Sequence, residues 1–276
     1  MAEEIDGISY EVKGKCAIIT FNIPDKLNAL GRPQYLQLGK FVERADKEEG
    51  TVATIIQSTG RYFSAGADFS DKKTIHEDAE VLFSHEHWLA AFVARNTWLT
   101  NVFNDHTKIL VAAANGPVIG LSAALLLLCD LIYVNDLSKF FILTPFANLG
   151  LVTEGATAVT LARRLGWSKA SEALLLAKKI PGEDCNQNGL VNKHFTGEGK
   201  STEDFNKTVL ELLQNSIEPL HVDSVFGIKK LMKLGRDPEV NYANSQEVVQ
   251  GFNKWIEGVP QMRFAQLANK ERKHKM

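Results

Sequence analysis

Cysteine is scarce in this chain, which has three among its 276 residues, Cys16, Cys129 and Cys185. They are too few and too scattered for a disulfide framework, and no CxxC pair occurs, so we expect reduced thiols in an intracellular compartment. A surplus of basic residues is also missing, because the formal net charge is −2. That charge gives no electrostatic reason for nucleic acid as the main partner. The acidic start, MAEEIDGISYEV, contains no hydrophobic signal segment.

Histidines with the spacing of metal ligands are also absent. His85 and His87 lie two positions apart and would not share a helix face. The other histidines considered are scattered: His76, His106, His194 and His221. We therefore expect no metal, and we interpret these side chains as structural or surface residues.

One long uncharged run, residues 109–129 (ILVAAANGPVIGLSAALLLLC), needs a test against a membrane span. Its length alone would permit a span. However, Asn115, Gly116 and Pro117 lie in its middle, and such a triplet marks a turn. We predict a buried strand and a buried helix joined by a tight loop, and no membrane span.

The rest of the chain alternates between strand and helix patterns. Strands are predicted at 8–12, 16–21, 52–58, 109–114, 131–134 and 140–143, and helices at 33–47, 80–105, 121–128, 156–165 and 168–177. A polar surface loop is predicted at 71–80 and a short turn or helix at 181–189. From about residue 203 the pattern is helical only. The sequence therefore predicts an α/β core over 1–202 followed by a helical segment over 203–276.

Two glycine-containing segments could each hold an anionic oxygen. In RYFSAGADFS (residues 61–70), the small residues at 64–67 allow close approach to the backbone, and the N–H groups of such a turn can converge. In NGPVIGLSAALLLLCD (115–130), a glycine turn opens a helix near Leu121, whose first N–H groups lack partners within the helix. Taken singly, each is equally consistent with an ordinary strand exit or an ordinary helix start.

Glu154 is the one charged residue in the apolar stretch LGLVTEGATA, residues 149–158. A carboxylate beside a helix start is commonly a favourable charge–dipole pair. The neighbouring Leu149, Leu151 and Val152 suggest a second interpretation, because an apolar environment raises a carboxyl pKa towards neutrality. Such a group can act as a general base near pH 7.

These motifs, in this order, resemble the enoyl-CoA hydratase/isomerase (crotonase) family. The resemblance rests on FSAGADF, NGPVIGLSAAL, CDLIYV and PFANLGLVTEGA and runs from about residue 8 to residue 200. It implies a crotonase-type ββα spiral core with a C-terminal helical oligomerisation segment. It also implies acyl-CoA thioester substrates, no separate cofactor, and an enolate held by the N–H groups of Ala67 and Leu121. Residues expected to line the binding site are Ala65, Gly66, Ala67, Asp68, Phe69, Leu121 and Asn96.

Departures from the family pattern narrow the implied reaction. Where the family's hydratases carry two catalytic glutamates, this chain has Ala124 and Phe146, while Glu154 stands where hydratases tend to have glycine. In this respect the chain is similar to fungal peroxisomal Δ3,Δ2-enoyl-CoA isomerases, which implies a Δ3-cis/trans to Δ2-trans isomerase of unsaturated fatty acid β-oxidation with Glu154 as its single base. Asn96 could orient Glu154 or the substrate, or could be an ordinary helix-surface residue. A dienoyl-CoA isomerase and a non-catalytic acyl-CoA-binding subunit remain as alternatives.

The C-terminus, NKERKHKM, suggests partners and a compartment. Its basic residues are Lys270, Arg272, Lys273 and Lys275. They could be a solvated end, or they could lie near CoA phosphates as in family members. His274-Lys275-Met276 resembles a variant of the C-terminal Ser-Lys-Leu peroxisomal address, which would be read by an import receptor. Family precedent further implies a homotrimer or homohexamer, alone or mixed with a paralogue.

Overall fold

The computed structural model describes residues 3–68, 79–269 and 271. Several sequence-based expectations lie outside these residues: Phe69, His76, most of the predicted loop 71–80, and the basic C-terminal residues with the tripeptide His274-Lys275-Met276.

A seven-stranded sheet forms the centre of the described fold, in the order β1-β2-β3-β4-β5-β7-β10. Its strands are β1 (Glu3–Ile5), β2 (Ile8–Lys13), β3 (Cys16–Phe21), β4 (Ala53–Ser58), β5 (Ile109–Ala114), β7 (Leu131–Val134) and β10 (Lys193–His194). The β1-β2-β3 part is an antiparallel meander, and the strands from β3 to β10 pair in parallel. Ile18 pairs with Ile55, which pairs with Val111, so an apolar row crosses the parallel part. Such β-branched runs are typical of strands buried on both faces.

Each face of the sheet packs against its own hydrophobic cluster. Ile19, Ile56 and Ala112 point into the larger cluster, while Ile55 and Val111 point into the smaller one. Side chains of neighbouring strand positions point to opposite faces, which explains this division. The larger cluster includes side chains of the helices around the predicted site, and the smaller cluster is covered by two helices of the C-terminal segment.

A second sheet of three short strands lies beside the first, in the order β6-β8-β9. Its strands are β6 (Val118–Ile119), β8 (Phe141–Leu143) and β9 (Ile180–Pro181). The helices of the core are α1 (Arg32–Lys47), α2 (Ala79–Leu82), α3 (His85–Trp88), α4 (Arg95–Asp105), α5 (Gly120–Leu128), α6 (Thr157–Leu165), α7 (Trp167–Leu175) and α8 (Gly182–Gln187). Short 3₁₀ turns cover Pro24–Lys26 and Phe146–Leu149, and a π-helical turn covers Leu89–Ala94.

The C-terminal helices are α9 (Thr202–Ile217), α10 (Val222–Leu234), α11 (Asp237–Ile256) and α12 (Val259–Ala268). Phe205 and Val209 of α9 pack into the smaller cluster, and Val240 and Ala243 of α11 pack into the larger one. This helical segment therefore completes the core on both sides of the sheet. The division of the chain at residue 202 stays a prediction.

The expectation of one uninterrupted helix over 80–105 is wrong. The helical path breaks at Phe83 and Ser84, and it passes through the π-helical turn before α4. Ser84 has extended backbone angles and its hydroxyl accepts a hydrogen bond from His87 N–H, which makes it an N-cap that starts a new helix. The apolar period continues across this cap, so the break was not visible in the pattern.

The uncharged run 109–129 divides as expected into β5, the short β6 and α5. Among the described residues, no helix combines the length and the hydropathy needed to cross a bilayer.

Candidate active site

Two loops that follow parallel strands β4 and β5 lie directly against each other. Phe63 N–H donates to Pro117 O at 3.0 Å, and Ile119 N–H donates to Ser64 O at 3.0 Å. Gly66 has φ +85°, and a Cβ built there would lie 2.8 Å from Ile119 O. This position therefore requires glycine both for its backbone angle and for the close approach. The two glycine segments predicted from the sequence thus form one structure.

Buried hydroxyl groups tie these two segments together beneath the surface. Ser64 Oγ and Ser122 Oγ are hydrogen-bonded at 2.8 Å, and the Tyr35 hydroxyl lies 3.0 Å from Ser122 Oγ. Ser64 Oγ also accepts from Gly66 N–H at 3.1 Å. Because the three hydroxyl-bearing side chains are buried, these bonds have no competition from water and fix the separation of the two loops.

The N–H groups of Ala67 and Leu121 are left free by this arrangement. Leu30 bonds to Gly66 O and Asp68 N–H bonds to Leu30 O, so the N–H of Ala67 points to the opposite side. Leu121 is the second residue of α5, where an N–H has no acceptor within the helix. Neither group donates to another residue in the described part of the chain. Both residues line the same cavity, which allows two donors to converge on one oxygen.

Glu154 lies just before α6 and faces the same cavity. A Cβ built on Gly155 would approach Ala124 Cβ to 2.7 Å and Leu121 Cδ1 to 3.6 Å. The turn that carries the carboxylate therefore packs directly on the helix that offers the Leu121 amide. Only residues as small as glycine and alanine permit this contact. Ala124, one of the two positions where the family resemblance implies a departure from the hydratases, is small enough to let the turn of Glu154 pack against α5.

Glu154 is 8% exposed, and the pKa of its carboxyl is raised to about 7 because burial disfavours the charged form. Three neighbours modify this effect. The Arg95 guanidinium and a hydrogen bond from Asn96 Nδ2 to Oε2, at 3.0 Å, lower the pKa, while the charge of Glu247 raises it. Oε1 accepts no hydrogen bond from any described residue, so this oxygen is the one available to a substrate.

Arg95 fixes the orientation of the Asn96 amide. Its Nε and one Nη donate to Asn96 Oδ1 at 3.0 and 2.9 Å. With Oδ1 engaged by a cation, the amide NH₂ must face Glu154. Asn96 is fully buried, so the interpretation as a helix-surface residue is wrong.

The cavity has a volume of about 570 Å³ and is lined mainly by apolar side chains. The Trp88 and Trp255 rings stack at 4.1 Å between centroids and form part of its wall, with Phe92 and Phe264 beside them. Phe146, the other departure from the hydratases, also lines it. Among residues 3–68 and 79–269, the acidic residues in the lining are Asp68 and Glu154. Such a cavity suits an acyl chain and excludes most water from the carboxylate.

The structure thus brings together the sequence-predicted Ala65, Gly66, Ala67, Asp68, Leu121, Asn96 and Glu154, and it leaves Phe69 outside the described residues. Sequence reasoning missed Arg95, Trp88 and Trp255. Two signals were available: Arg95 adjoins Asn96, and both tryptophans are large apolar residues on helices. No group of three or more acidic, histidine or cysteine side chains that could hold a metal ion occurs among residues 3–68 and 79–269.

The chain belongs to the enoyl-CoA hydratase/isomerase family, whose model matches residues 11–247. The family predicted from the sequence motifs is therefore confirmed. The 3,2-trans-enoyl-CoA isomerase of Saccharomyces cerevisiae is 42% identical over the whole of both chains. A Δ(3,5)-Δ(2,4)-dienoyl-CoA isomerase of Pyricularia oryzae is 40% identical, over 97% of this chain and 98% of that protein.

Solved structures support the same fold. An enoyl-CoA hydratase/isomerase from Pseudoalteromonas atlantica superposes with a TM-score of 0.80 at 22% identity, over 98% of this chain and all of the other. An enoyl-CoA hydratase from Bacillus halodurans gives a TM-score of 0.80 at 19% identity, over 94% and 99%. The expected crotonase-type α/β fold is confirmed by these superpositions.

Proposed function

We propose that this protein is a Δ3,Δ2-enoyl-CoA isomerase of unsaturated fatty acid β-oxidation that uses Glu154 as its single base. The observation that carries the proposal is one buried carboxylate sharing an apolar cavity with two N–H groups that have no partner among the described residues. The full-length relationship to a protein called 3,2-trans-enoyl-CoA isomerase supports an isomerase of this kind.

The reaction needs one proton removed and the same proton returned. Glu154 Oε1 takes the proton from C2, and the C–H electron pair moves into the thioester carbonyl to give a dienolate. The N–H groups of Ala67 and Leu121 stabilise the negative oxygen, an effect that typically contributes about 3–4 kcal/mol per donor. Oε1 then delivers the proton to C4, and the double bond forms between C2 and C3. The protein ends the cycle unchanged, and no separate cofactor takes part.

The absence of hydratase acids supports isomerisation over water addition. Hydration needs groups that position a water molecule and transfer its proton, and the residues at the corresponding positions are Ala124 and Phe146. Both are buried and apolar. The remaining carboxylate can shuttle a proton between two carbons on one face of the substrate.

Turnover of 3-hexenoyl-CoA by the purified protein tests this function. The substitution Glu154→Gln keeps the shape of the side chain and its bond to Asn96 but removes the base, so we expect kcat to fall by about 10²–10⁴-fold. Binding of the unreactive hexanoyl-CoA, measured by calorimetry, should stay within threefold of the wild type. Turnover of E154Q equal to the wild type would remove Glu154 from the mechanism.

A dienoyl-CoA isomerase is the second candidate, favoured by the 40% identity to the Pyricularia oryzae protein. Against it, Glu154 and Asp68 are the acidic residues that the described part of the chain contributes to the cavity lining, and Asp68 forms an ion pair with Lys26 at 2.8 Å. A 3,5-dienoyl-CoA substrate separates the two functions. Conversion to the 2,4-diene extends conjugation to the thioester and moves the ultraviolet absorbance to longer wavelength.

The assembly and the compartment also belong to this proposal. We infer a homo-oligomer, because Ile228, Leu231 and Met232 of α10 are 59%, 68% and 72% exposed and lie on one helix face. A contiguous exposed apolar face of this kind marks a contact surface. The proposed reaction suggests that the protein acts in peroxisomes. His274-Lys275-Met276 would then be its import signal.

A further inference from the structure

A second buried carboxylate, Glu247 of α11, lies behind the catalytic turn. The residue is 6% exposed. Its Oε2 accepts from Ala156 N–H at 2.7 Å and its Oε1 accepts from Ala158 N–H at 3.1 Å. The side chain of Thr153 forms a further hydrogen bond to the same carboxylate. The partners of Glu247 thus flank Glu154 on both sides along the chain.

The turn at residues 154–156 is closed by Thr157, whose N–H and hydroxyl both donate to Glu154 O, but its backbone is strained. Gly155 and Ala156 have φ values of +66° and +59°, and two successive left-handed residues are strained for a non-glycine side chain. Ala156 is also the N-cap of α6, but it has no side-chain acceptor for the first N–H groups of the helix. Glu247 supplies the missing acceptor, because its Oε1 binds the Ala158 N–H of the first turn from 89 positions away.

We propose that Glu247 is a positioning residue of the active site, which acts through the N–H groups of Ala156 and Ala158 to hold the Glu154 carboxylate towards the cavity. The inference rests on the proposed role of Glu154 as the base. It assigns to the C-terminal segment a part in the reaction itself, because α11 is the element that carries Glu247.

Because Glu247 is charged, its removal should also change the pH dependence of kcat, which the loss of a purely structural helix cap would not do. The groups that face Glu154 are Arg95 and Asn96 from α4, Tyr35 from α1, and Glu247 from α11. Arg95 and Asn96 lower the pKa of Glu154, and Glu247 raises it. Removing the negative charge of Glu247 should therefore lower that pKa. The acid limb of the kcat–pH profile should move to lower pH.

The experiment compares E247Q with E239Q in the full-length protein. E247Q keeps the volume of the side chain, but its amide has only one acceptor oxygen. The N–H groups of Ala156 and Ala158 each need one. The second variant removes another carboxylate of α11, exposed Glu239, which binds Arg163 near the far end of α6. For E247Q we expect kcat for 3-hexenoyl-CoA to fall about tenfold, KM to stay within twofold, and the acid limb to move to lower pH. For E239Q we expect wild-type values.

Two outcomes would overturn the proposal. One is an E247Q protein with wild-type kcat and an unmoved acid limb; the other is an equal loss of kcat in E239Q. If E247Q does not fold, E247D replaces it, because the shorter side chain cannot reach both N–H groups, and the same fall in kcat with unchanged KM is expected. Measuring E154Q in parallel distinguishes failure of the proposed function from failure of the role of Glu247. An active E154Q contradicts the proposed function. An inactive E154Q together with a wild-type-like E247Q contradicts only the role of Glu247.

Discussion

The ionisation of Glu154 is set by opposing neighbours. Burial raises the pKa of its carboxyl to about 7, and the hydrogen bond from Asn96 and the charge of Arg95 limit that rise. A general base acts in its deprotonated form, so kcat should increase with pH through the region of pH 7 and level off above it. A pH profile of kcat for the wild type therefore has an acid limb near pH 7.

The substitution Asn96→Ala should move this limb in the direction opposite to that expected for E247Q. Asn96 donates to the charged carboxylate and so lowers its pKa. Without that bond the pKa of Glu154 should rise, and kcat at pH 7 should fall severalfold while activity at pH 9 partly recovers. The matched control is Asn101→Ala on the same helix, because Asn101 bonds to Asn244 of α11 and not to Glu154. A limb that stays in place in N96A would contradict this role for Asn96.

At the level of single residues, local sequence could reveal Glu154 but not Glu247. Glu154 stands alone in an apolar stretch, which is visible in any short window. Glu247 lies in α11 amid polar residues, and its partners are 91 and 89 positions away. Nothing in its own surroundings distinguishes it from a solvated glutamate. For the same reason the charge beside the start of α6 was attributed to Glu154, whereas the carboxylate that caps this helix belongs to Glu247.

At the level of elements, the close contact between the loops after β4 and β5 should be sensitive to one methyl group. In Gly66→Ala the new Cβ would lie 2.8 Å from Ile119 O, at a backbone φ of +85°. The displaced loop would move the Ala67 N–H away from the Leu121 N–H. Since losing one oxyanion donor costs about 10²–10³ in kcat, we expect a loss of this size.

Gly199→Ala provides the matched control for G66A. Gly199 also has a positive φ, +64°, but a Cβ there meets nothing within 4 Å. Backbone strain should lower the unfolding free energy of both variants by about 1–2 kcal/mol, measured by urea denaturation, and G66A should lose more because of its clash with Ile119 O. Only G66A should lose activity. Equal kcat in the two variants would show that the approach of the loops does not matter for the reaction.

Helices and strands were predicted correctly where glycine or proline marks a turn between them, and incorrectly where no such residue marks the break. Asn115, Gly116 and Pro117 divide the uncharged run correctly into strand and helix. The break at Ser84 has no glycine or proline, and the same apolar period continues on both sides. The strands β6, β9 and β10 contain two residues each, too few for any alternation to be recognised.

At the level of the whole molecule, the order of motifs predicted the family and the fold, while the packing of the C-terminal helices was beyond the sequence. From the sequence, those helices were predicted to be an oligomerisation segment. In the structure α11 also contributes Val240 and Ala243 to the main core and Trp255 to the cavity wall. An amphipathic pattern indicates that a helix has an apolar face, but it does not identify the surface that covers that face.

The exposed apolar face of α10 predicts a contact between subunits. If Ile228, Leu231 and Met232 form a subunit contact, the double substitution Leu231→Glu with Met232→Glu should place charges in an apolar interface and dissociate the oligomer. Light scattering after size exclusion should then give the mass of one 30.6 kDa chain, where the wild type gives a multiple of it. Lys230→Glu, an exposed charge change one position away, should leave the assembly intact. A wild type with the mass of a single chain, or a double variant with the wild-type mass, would contradict the assignment of this face, because its exposed side chains would then remain in water in the native protein.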